Sequence, residues 1–136
     1  MSDAVTLIRS ASLSDVAEYA YAATVAAGSR LIFLAGACPL NEDGTTAAAG
    51  DYPGQAVKAF ENMLTALADA GATLEDVAST RVLVASNRQE DLGAVWEVVR
   101  NLFGEHDVPS TLMGVTVLGY KDQLVEIEAV AAVLNQ

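Results

Sequence analysis

Residues 124–134 read LVEIEAVAAVL, an alternation of apolar and acidic side chains that predicts a β-strand. Successive side chains of a strand point to opposite faces of its sheet. One face of this strand carries Val125, Ile127 and Ala129, and the other carries Glu126 and Glu128 together with Val130, Ala132 and Leu134. The second face is too apolar to be left entirely in water, so we expect another copy of the chain to cover it.

Two amphipathic helices are predicted upstream of this strand. Asp51 and Pro53 mark the start of the first helix and Gly71 marks its end. In the second helix, Asn87 followed by Glu90 resembles a capping box. The apolar stripe of the first helix is Val57, Phe60, Leu64 and Leu67, and that of the second, which stops at Gly104, is Leu92, Val95, Trp96, Val99 and Phe103.

The remaining strands are predicted from apolar runs at residues 5–8, 19–26, 31–34, 80–84 and 111–118. The turn at Gly28 and Ser29 predicts a hairpin between the second and third of these runs. The sequence GYKD at residues 119–122 predicts another hairpin that joins residues 111–118 to the closing strand. We therefore expect one domain over residues 1–136, of class α+β, with both helices covering one face of a single sheet.

The charge balance excludes several classes of partner. Asp and Glu number 18 against 7 Lys and Arg, which gives a net charge of -11, and the basic residues are scattered. A nucleic-acid-binding surface needs clustered cations, so no nucleic-acid partner is expected. No apolar run approaches the roughly 20 residues of a membrane-spanning helix, and the N-terminus has no signal-peptide pattern. We expect no membrane partner and a cytoplasmic location.

Cys38 is the one cysteine of the sequence, which excludes an internal disulfide and a cysteine-based zinc site. Such a residue is more often a small buried apolar group than a nucleophile. Glu126 and Glu128 would lie about 7 Å apart on one strand face and could share a metal. With His106 at a helix end and no third ligand in the pattern, neither a metal nor a cofactor is expected.

Four segments of the sequence, in order and with the expected spacing, resemble motifs of the RidA/YjgF family, whose members are reactive intermediate deaminases also named after endoribonuclease L-PSP. Residues 124–131 read LVEIEAVA, the family's closing signature. Residues 34–40 (LAGACPL) resemble its SGQIPL element, and residues 103–106 (FGEH) resemble its FFGEH ending of the second helix. Glu61-Asn62 with residues 70–72 resembles the ENL…AAGA helix. The likeness covers nearly the whole chain.

The resemblance implies a chorismate-mutase-like α+β fold, with one mixed β-sheet of about six strands covered by two α-helices and assembled as a homotrimeric barrel. It also implies clefts for a small-molecule ligand at the subunit interfaces. In the deaminating branch of the family, an arginine after a Pro-Ala pair binds the carboxylate of an enamine or imine. A glutamate of the EIE motif orients the hydrolytic water, and a tyrosine and the SGQ backbone line the cleft.

Carried over residue by residue, the resemblance places the catalytic glutamate at Glu126 and the cleft tyrosine at Tyr19. The SGQ backbone falls at Gly36 and Ala37. The arginine is missing, because its position, counted back from Gly114, holds Ser110.

Three further residues complete the predicted substrate-binding set. Trp96 stands where the family has a cleft asparagine, although its place on the apolar stripe also suits a core or interface role. Thr111 and Leu112 follow Ser110 into the cleft strand, and the hydroxyls of Ser110 and Thr111 could instead serve hydrogen bonds where that strand begins. Arg81 is the nearest candidate by strand position for a replacement cation.

Arginine grips a carboxylate through two charge-assisted hydrogen bonds, each contributing roughly 1.5 to 3 kcal/mol, whereas a serine offers one neutral donor. Deamination of amino-acid-derived imines is therefore not expected. The sequence favours a hydrolase or deaminase-like enzyme acting on another imine, enamine or carbonyl compound, with Glu126 holding or deprotonating water. A metabolite-binding trimer without chemistry is the alternative, in which Glu126 or Glu128 merely accepts hydrogen bonds at a subunit seam. A ribonuclease is disfavoured by the charge.

Overall fold

The computed structural model describes residues 2–16 and 18–134, over which the chain forms six strands and two α-helices. In chain order these are β1 (Val5–Ile8), β2 (Ala22–Val25), β3 (Ser29–Phe33), α1 (Tyr52–Asp69), β4 (Val77–Ala85), α2 (Gln89–Phe103), β5 (Ser110–Val115) and β6 (Val125–Leu134). A short 3-10 helix, Leu74–Asp76, leads into β4. The predicted α+β class, with two helices on a mixed sheet, is confirmed.

The main sheet has four strands in the order β3-β6-β4-β5. The closing strand β6 lies inside it and runs antiparallel to both neighbours, β3 and β4. Strand β5 pairs with β4 in parallel, which makes the sheet mixed. Strands β1 and β2 form a separate antiparallel pair, with Val5 opposite Val25.

Both predicted hairpins are wrong. Strand β2 pairs with β1 rather than with β3, and β5 pairs with β4 rather than with β6. A helix between two strands carries the chain back over the sheet and favours a parallel neighbour. Because α2 lies between β4 and β5, that crossover sets the position of β5, and residues 119–122 are part of a longer connection instead of a tight turn.

Helix α1 begins and ends as predicted. The carboxylate of Asp51 accepts a hydrogen bond from the Gly54 backbone N–H at 3.0 Å, and Pro53 lies in the first turn. Gly71 follows the last turn with φ of +85°, a left-handed conformation that glycine adopts without a steric penalty.

The predicted apolar stripe of α1 is half correct. Phe60 and Leu67 are buried, whereas Val57 and Leu64 remain 39% and 38% exposed. The buried face is rotated toward smaller and more flexible residues, which are Ala56, Ala59 and Met63 together with Gln55. Alanine allows the helix to approach the sheet closely, so its small side chains mark the contact face better than the larger valine does.

Helix α2 begins one residue later than predicted, and the capping box of Asn87 and Glu90 does not form. Arg88 is the N-cap residue and makes no side-chain capping bond. The hydroxyl of Ser86 accepts the Arg88 N–H at 2.9 Å and donates to the Asp91 carboxylate at 2.7 Å. The stripe of α2 is as predicted, with Val95, Val99 and Phe103 buried and Leu92 and Trp96 half-buried.

The two faces of the four-stranded sheet have different surroundings. The face toward the helices is a dry core that includes Val82, Val84, Ile127 and Ala129. The other face, called the open face below, carries by strand alternation and register Leu31, Phe33, Arg81, Leu83, Thr111, Met113, Glu126, Glu128 and Val130. Phe33 is 73% exposed and Leu31 48% exposed within one chain. In the described part of the chain, neither helix has the length and apolarity to cross a bilayer.

Candidate functional site

Glu126 lies on the open face of β6, in register with Leu83 of β4. Its Oε1 atom accepts hydrogen bonds from the Cys38 thiol, with Sγ at 3.3 Å, and from the side-chain amide of Gln123, with Nε2 at 3.2 Å. Its other oxygen, Oε2, lies against Gly36, where an added Cβ would come within 2.5 Å of it. These four residues, Gly36, Cys38, Gln123 and Glu126, are called the Glu126 cluster below.

The loop after β3 builds one side of the Glu126 cluster. The backbone of Ala37 pairs with Ile127 of β6, through N–H···O bonds of 2.7 Å and 3.0 Å. This pairing places Gly36 and Cys38 beside Glu126. Ala37 itself belongs to the buried core, so its side chain does not line the cluster. The amide of Asn62 on α1 fixes the loop by donating to the carbonyl of Cys38 at 2.8 Å and to that of Leu40 at 2.9 Å.

Cys38 is half-buried and acts as a hydrogen-bond donor. Burial raises the pKa of its thiol to about 11, and the hydrogen bond and negative charge of Glu126 add to that shift. The thiol is therefore protonated at neutral pH. Since the thiolate is the nucleophilic form, the structure does not support a nucleophilic role and favours a polar contact with Glu126.

Tyr19, Trp96 and Ser110 meet in a second place, a small cavity between α2 and the start of β5. The rings of Tyr19 and Trp96 contact edge to face, with centroids 6.0 Å apart. The hydroxyl of Ser110 lies 2.8 Å from that of Thr80 on the neighbouring strand. All four residues line the cavity, which is called the aromatic cavity below. Arg100 also borders it and is paired with the carboxylate of Glu18.

Within one chain the Glu126 cluster and the aromatic cavity are separate. Ser110 pairs with Thr80, whereas Glu126 pairs with Leu83, three residues further along β4. Three residues of strand correspond to about 10 Å. Thr80 is buried on the helix side of the sheet, while Glu126 lies on the open face. The structure thus divides the predicted site residues into two groups.

The other predicted residues are placed individually. Thr111 is exposed on the open face beside Arg81, and Leu112 is partly buried against the core. Arg81 is already engaged, because its Nε and Nη2 atoms donate to Glu128 Oε1 at 2.9 Å and 2.6 Å. Glu128 therefore forms an ion pair with Arg81.

His106 lies apart from these glutamates and is half-buried, with its Nε2 atom 2.8 Å from the carbonyl of Val77. Across the described residues, no three His, Cys, Asp or Glu side chains are arranged to hold a metal ion.

Two members of these groups were not predicted from the sequence. Gln123 is a polar residue in a loop, and nothing in its spacing indicates that its side chain turns toward Glu126. Thr80 is one of several polar residues of β4. The parallel pairing of β4 and β5, which the strand-helix-strand pattern indicates, is the signal that would have placed Thr80 beside Ser110.

Comparison with known proteins identifies the class to which this fold and site belong. The Endoribonuclease L-PSP family profile matches residues 11–133. A RutC family protein of Pyrococcus abyssi is 34% identical over 100 residues, which are 74% of this chain and 76% of that protein.

Solved structures of the same group superpose on most of the chain. The YyfB protein of the conserved Rid family from Yersinia pestis has a TM-score of 0.87 at 25% identity, with 95% of this chain and 98% of that chain covered. A YjgF-family protein from Mycobacterium tuberculosis has a TM-score of 0.64 at 32% identity, with 95% and 99% covered. The chain belongs to the endoribonuclease L-PSP family, which is the Rid/YjgF family predicted from its motifs.

Proposed function

We propose that this chain forms a homotrimer with a small-molecule site at each subunit seam, where Glu126 activates water to hydrolyse an imine, enamine or related carbonyl compound. The observation that carries the proposal is the carboxylate of Glu126 on an apolar sheet face, held through one oxygen. Family membership supports a deaminase-like or metabolite-binding role in general terms. The particular chemistry is inferred from the Glu126 cluster.

The open face supports assembly. Phe33 and Leu31 are far more exposed than large apolar side chains usually are in a finished sheet, and Val130 lies beside Phe33 in register. A contiguous apolar surface of this kind is typical of protein-protein contact. A second copy would also bring its own aromatic cavity toward the Glu126 cluster, which one chain cannot do. The predicted cleft therefore depends on two subunits.

The charges near the two groups favour a ligand without a carboxylate. Ser110 occupies the family's arginine position, and its hydroxyl is engaged by Thr80. The two arginines nearest the predicted site, Arg81 and Arg100, are held by Glu128 and Glu18. Among the described residues, neither the Glu126 cluster nor the aromatic cavity therefore has an unpaired guanidinium that could bind an anionic group. A neutral imine, or its protonated iminium form, suits the negative charge of Glu126.

The proposed chemistry is addition of water to a C=N bond. Glu126 accepts a proton from water as the water oxygen bonds to the imine carbon and the C=N π bond opens, and it passes that proton to the imine nitrogen. The resulting carbinolamine gives its hydroxyl proton to Glu126 and on to the leaving nitrogen as the C–N bond breaks, which releases the amine and leaves a carbonyl product and an ionised Glu126. One water is consumed for each amine released. A carboxylate placed as general base in this way contributes typically 100-fold or more.

Freshly generated imines, with and without a carboxylate on the carbon skeleton, test the proposal. We expect the wild type to hydrolyse the uncharged imines and Glu126→Gln to lose roughly 100-fold in kcat/KM, while the exposed Glu97→Gln on α2 serves as the matched control. Ser110→Arg should increase turnover of the carboxylate-bearing imines. An activity that is unaffected by Glu126→Gln would contradict the catalytic assignment.

The same experiment addresses the alternative of a metabolite-binding trimer. That alternative predicts no turnover across the whole panel together with a compound bound at the seam in crystals. The ribonuclease activity in the family name is tested by RNA cleavage and by RNA affinity measured against salt concentration. With a net charge of -11 and scattered basic residues, we expect no cleavage and no salt-dependent binding.

A further inference from the structure

The geometry assigns to Gln123 and Cys38 the role of positioning residues for Glu126, which hold its Oε1 atom and leave its Oε2 atom, beside Gly36, as the oxygen available to a ligand or water. The two bonds to Oε1 are 3.2 Å from Gln123 Nε2 and 3.3 Å from Cys38 Sγ. Oε2 accepts no hydrogen bond from the residues that the structure describes. That Oε2 acts on a ligand depends on the proposed function, whereas the positioning itself does not.

Gln123 has a fixed orientation, which makes it a directed donor. Its side chain is 4% exposed. Its Oε1 atom accepts the Tyr120 backbone N–H at 3.1 Å, so the opposite end of the amide must be the NH₂ group. That NH₂ group donates to the Val125 carbonyl at 3.1 Å and to Glu126. A flipped amide would break all three contacts, and the proton facing Glu126 is therefore assigned by the network itself.

Cys38 approaches Oε1 from the loop after β3. Its Sγ atom lies 3.3 Å from Glu126 Oε1 and 3.5 Å from the Gly36 carbonyl. The loop is fixed by the two bonds from Asn62 and by the backbone pairing of Ala37 with Ile127. A protonated thiol at this point donates a weak hydrogen bond, and it cannot do so once deprotonated.

Gly36 further restricts the rotation of the Glu126 carboxylate. The Glu126 Cγ, carboxyl carbon and Oε2 atoms all lie within 3.0 Å of where a Cβ of residue 36 would be. The carboxylate therefore packs against the Gly36 backbone, in space that any larger side chain at residue 36 would fill. Gly36, Gln123 and Cys38 together restrict Glu126 to one orientation.

The other charged groups near Glu126 are paired with each other. On the open face of the described strands they are Glu128 on β6 and Arg81 on β4, which form an ion pair. Strands β3 and β5 contribute Leu31, Phe33, Thr111 and Met113 to this face, none of which is charged. The variants below leave Arg81 and Glu128 unchanged, so a change at the Glu126 carboxylate reports the two bonds to Oε1.

The test measures the ¹³C chemical shift of the Glu126 side-chain carboxyl carbon, at one fixed neutral pH, in full-length variants. Hydrogen bonds to a carboxylate change the electron density at that carbon, so Gln123→Met should move its signal away from the wild-type position. Cys38→Ala should move it by less, and Cys38→Ser, whose hydroxyl is a stronger donor, should return it to the wild-type position or beyond. Such rescue by the conservative variant would not follow from a packing role.

Thr80→Val is the matched control for Gln123→Met. Thr80 is also 4% exposed, and its hydroxyl lies 2.8 Å from that of Ser110 on the helix side of the sheet, without touching the Glu126 cluster. It should destabilise the fold while leaving the Glu126 carboxyl signal unchanged. If Gln123→Met does not fold, the Cys38→Ala and Cys38→Ser pair decides the matter.

The outcomes separate this inference from the proposed function. An unmoved Glu126 carboxyl signal in Gln123→Met, or equal positions in Cys38→Ala and Cys38→Ser, overturns the positioning role whatever the activity. A moved signal supports it even if Glu126→Gln leaves turnover intact, in which case only the proposed hydrolysis fails. Under the proposed hydrolysis, Gln123→Met lowers kcat with little change in KM, and a change in KM alone counts against Gln123 acting through Glu126.

Discussion

The two faces of the four-stranded sheet are built from the same strands, yet only one of them is completed within the chain. On the helix side Val82, Val84 and Ile127 are at most 1% exposed. On the open side Leu31 and Phe33 remain 48% and 73% exposed. The helix side is a finished core, whereas the open side leaves large apolar side chains uncovered within one chain. That uncovered surface is the one that the proposed assembly would bury.

The candidate chemistry lies on the unfinished face. Gln55 and Thr80 are buried on the helix side, and the described buried polar side chains all have hydrogen-bond partners. Glu126 on the open face keeps one carboxylate oxygen without such a partner among the described residues. A free acceptor costs little while water reaches it. In the proposed assembly, a second subunit would exclude bulk water there and strengthen the electrostatic interactions of that oxygen. Covering the open face would therefore complete both the packing and the site.

The largest effect is expected from a substitution that places a charge on the open face. Phe33→Asp should abolish assembly and raise the trimer dissociation constant by several orders of magnitude, because an unpaired carboxylate would have to be buried at the seam. Sedimentation velocity at micromolar concentration measures the effect. Val57→Asp on the exposed side of α1 is the matched control and should stay assembled. A monomeric wild type would contradict the proposed trimer.

A smaller effect, on the free energy of unfolding, is expected from a substitution on the helix side of the sheet. Ile127→Ala should destabilise the folded chain by about 3 kcal/mol, since it leaves a cavity among fully buried neighbours. Val130→Ala, three residues along the same strand but on the open face, should cost about 1 kcal/mol or less. Urea unfolding in a Phe33→Asp background keeps assembly out of the comparison. Equal losses for the two substitutions would show that both faces are equally packed within one chain.

The sequence predicted which face the closing strand buries but not which strands lie beside it. Alternation in residues 124–134 gave the two sides of β6 correctly, because side-chain direction is a local property of an extended chain. Strand pairing is set by contacts between distant segments, as when β6 inserts between β3 and β4. The hairpins predicted at Gly28 and at residues 119–122 assumed that neighbours in sequence are neighbours in the sheet. The helix between β4 and β5 was the local evidence against the second of these.

For the candidate site too, the sequence indicated some of the contacts and missed others. The resemblance placed Glu126 and Gly36 in the same cleft, and in the structure the two lie against each other. It gave no sign that Cys38 and Gln123 would converge on the same carboxylate oxygen, because both reach it from loops. Whether Tyr19, Trp96 and Ser110 join Glu126 in one cleft stays a prediction, since it depends on the relative placement of two chains.

The smallest predicted effect is a pH dependence of stability from the thiol in the Glu126 cluster. The pKa of Cys38 is raised from 9.0 to about 11 in the folded chain. Between these values the unfolded chain has lost a proton that the folded chain retains, so the contribution to stability is complete below pH 9 and falls as the pH rises toward 11. Two units correspond to roughly 2.7 kcal/mol, and solvent screening of a half-exposed thiol reduces the expected loss to about 1 kcal/mol.

Cys38→Ala removes this titration and leaves the tyrosines and lysines, which also titrate at high pH. The difference in unfolding free energy between wild type and Cys38→Ala, measured by urea at pH 8 and at pH 10.5 in the Phe33→Asp background, isolates the thiol. Wild type should lose about 1 kcal/mol more than the variant over this interval. Equal losses of unfolding free energy in wild type and Cys38→Ala would mean that the thiol has the same pKa in the folded chain as in the unfolded chain. The bond between Cys38 and Glu126 would then be too weak to position the carboxylate, and Gln123 would hold Oε1 alone.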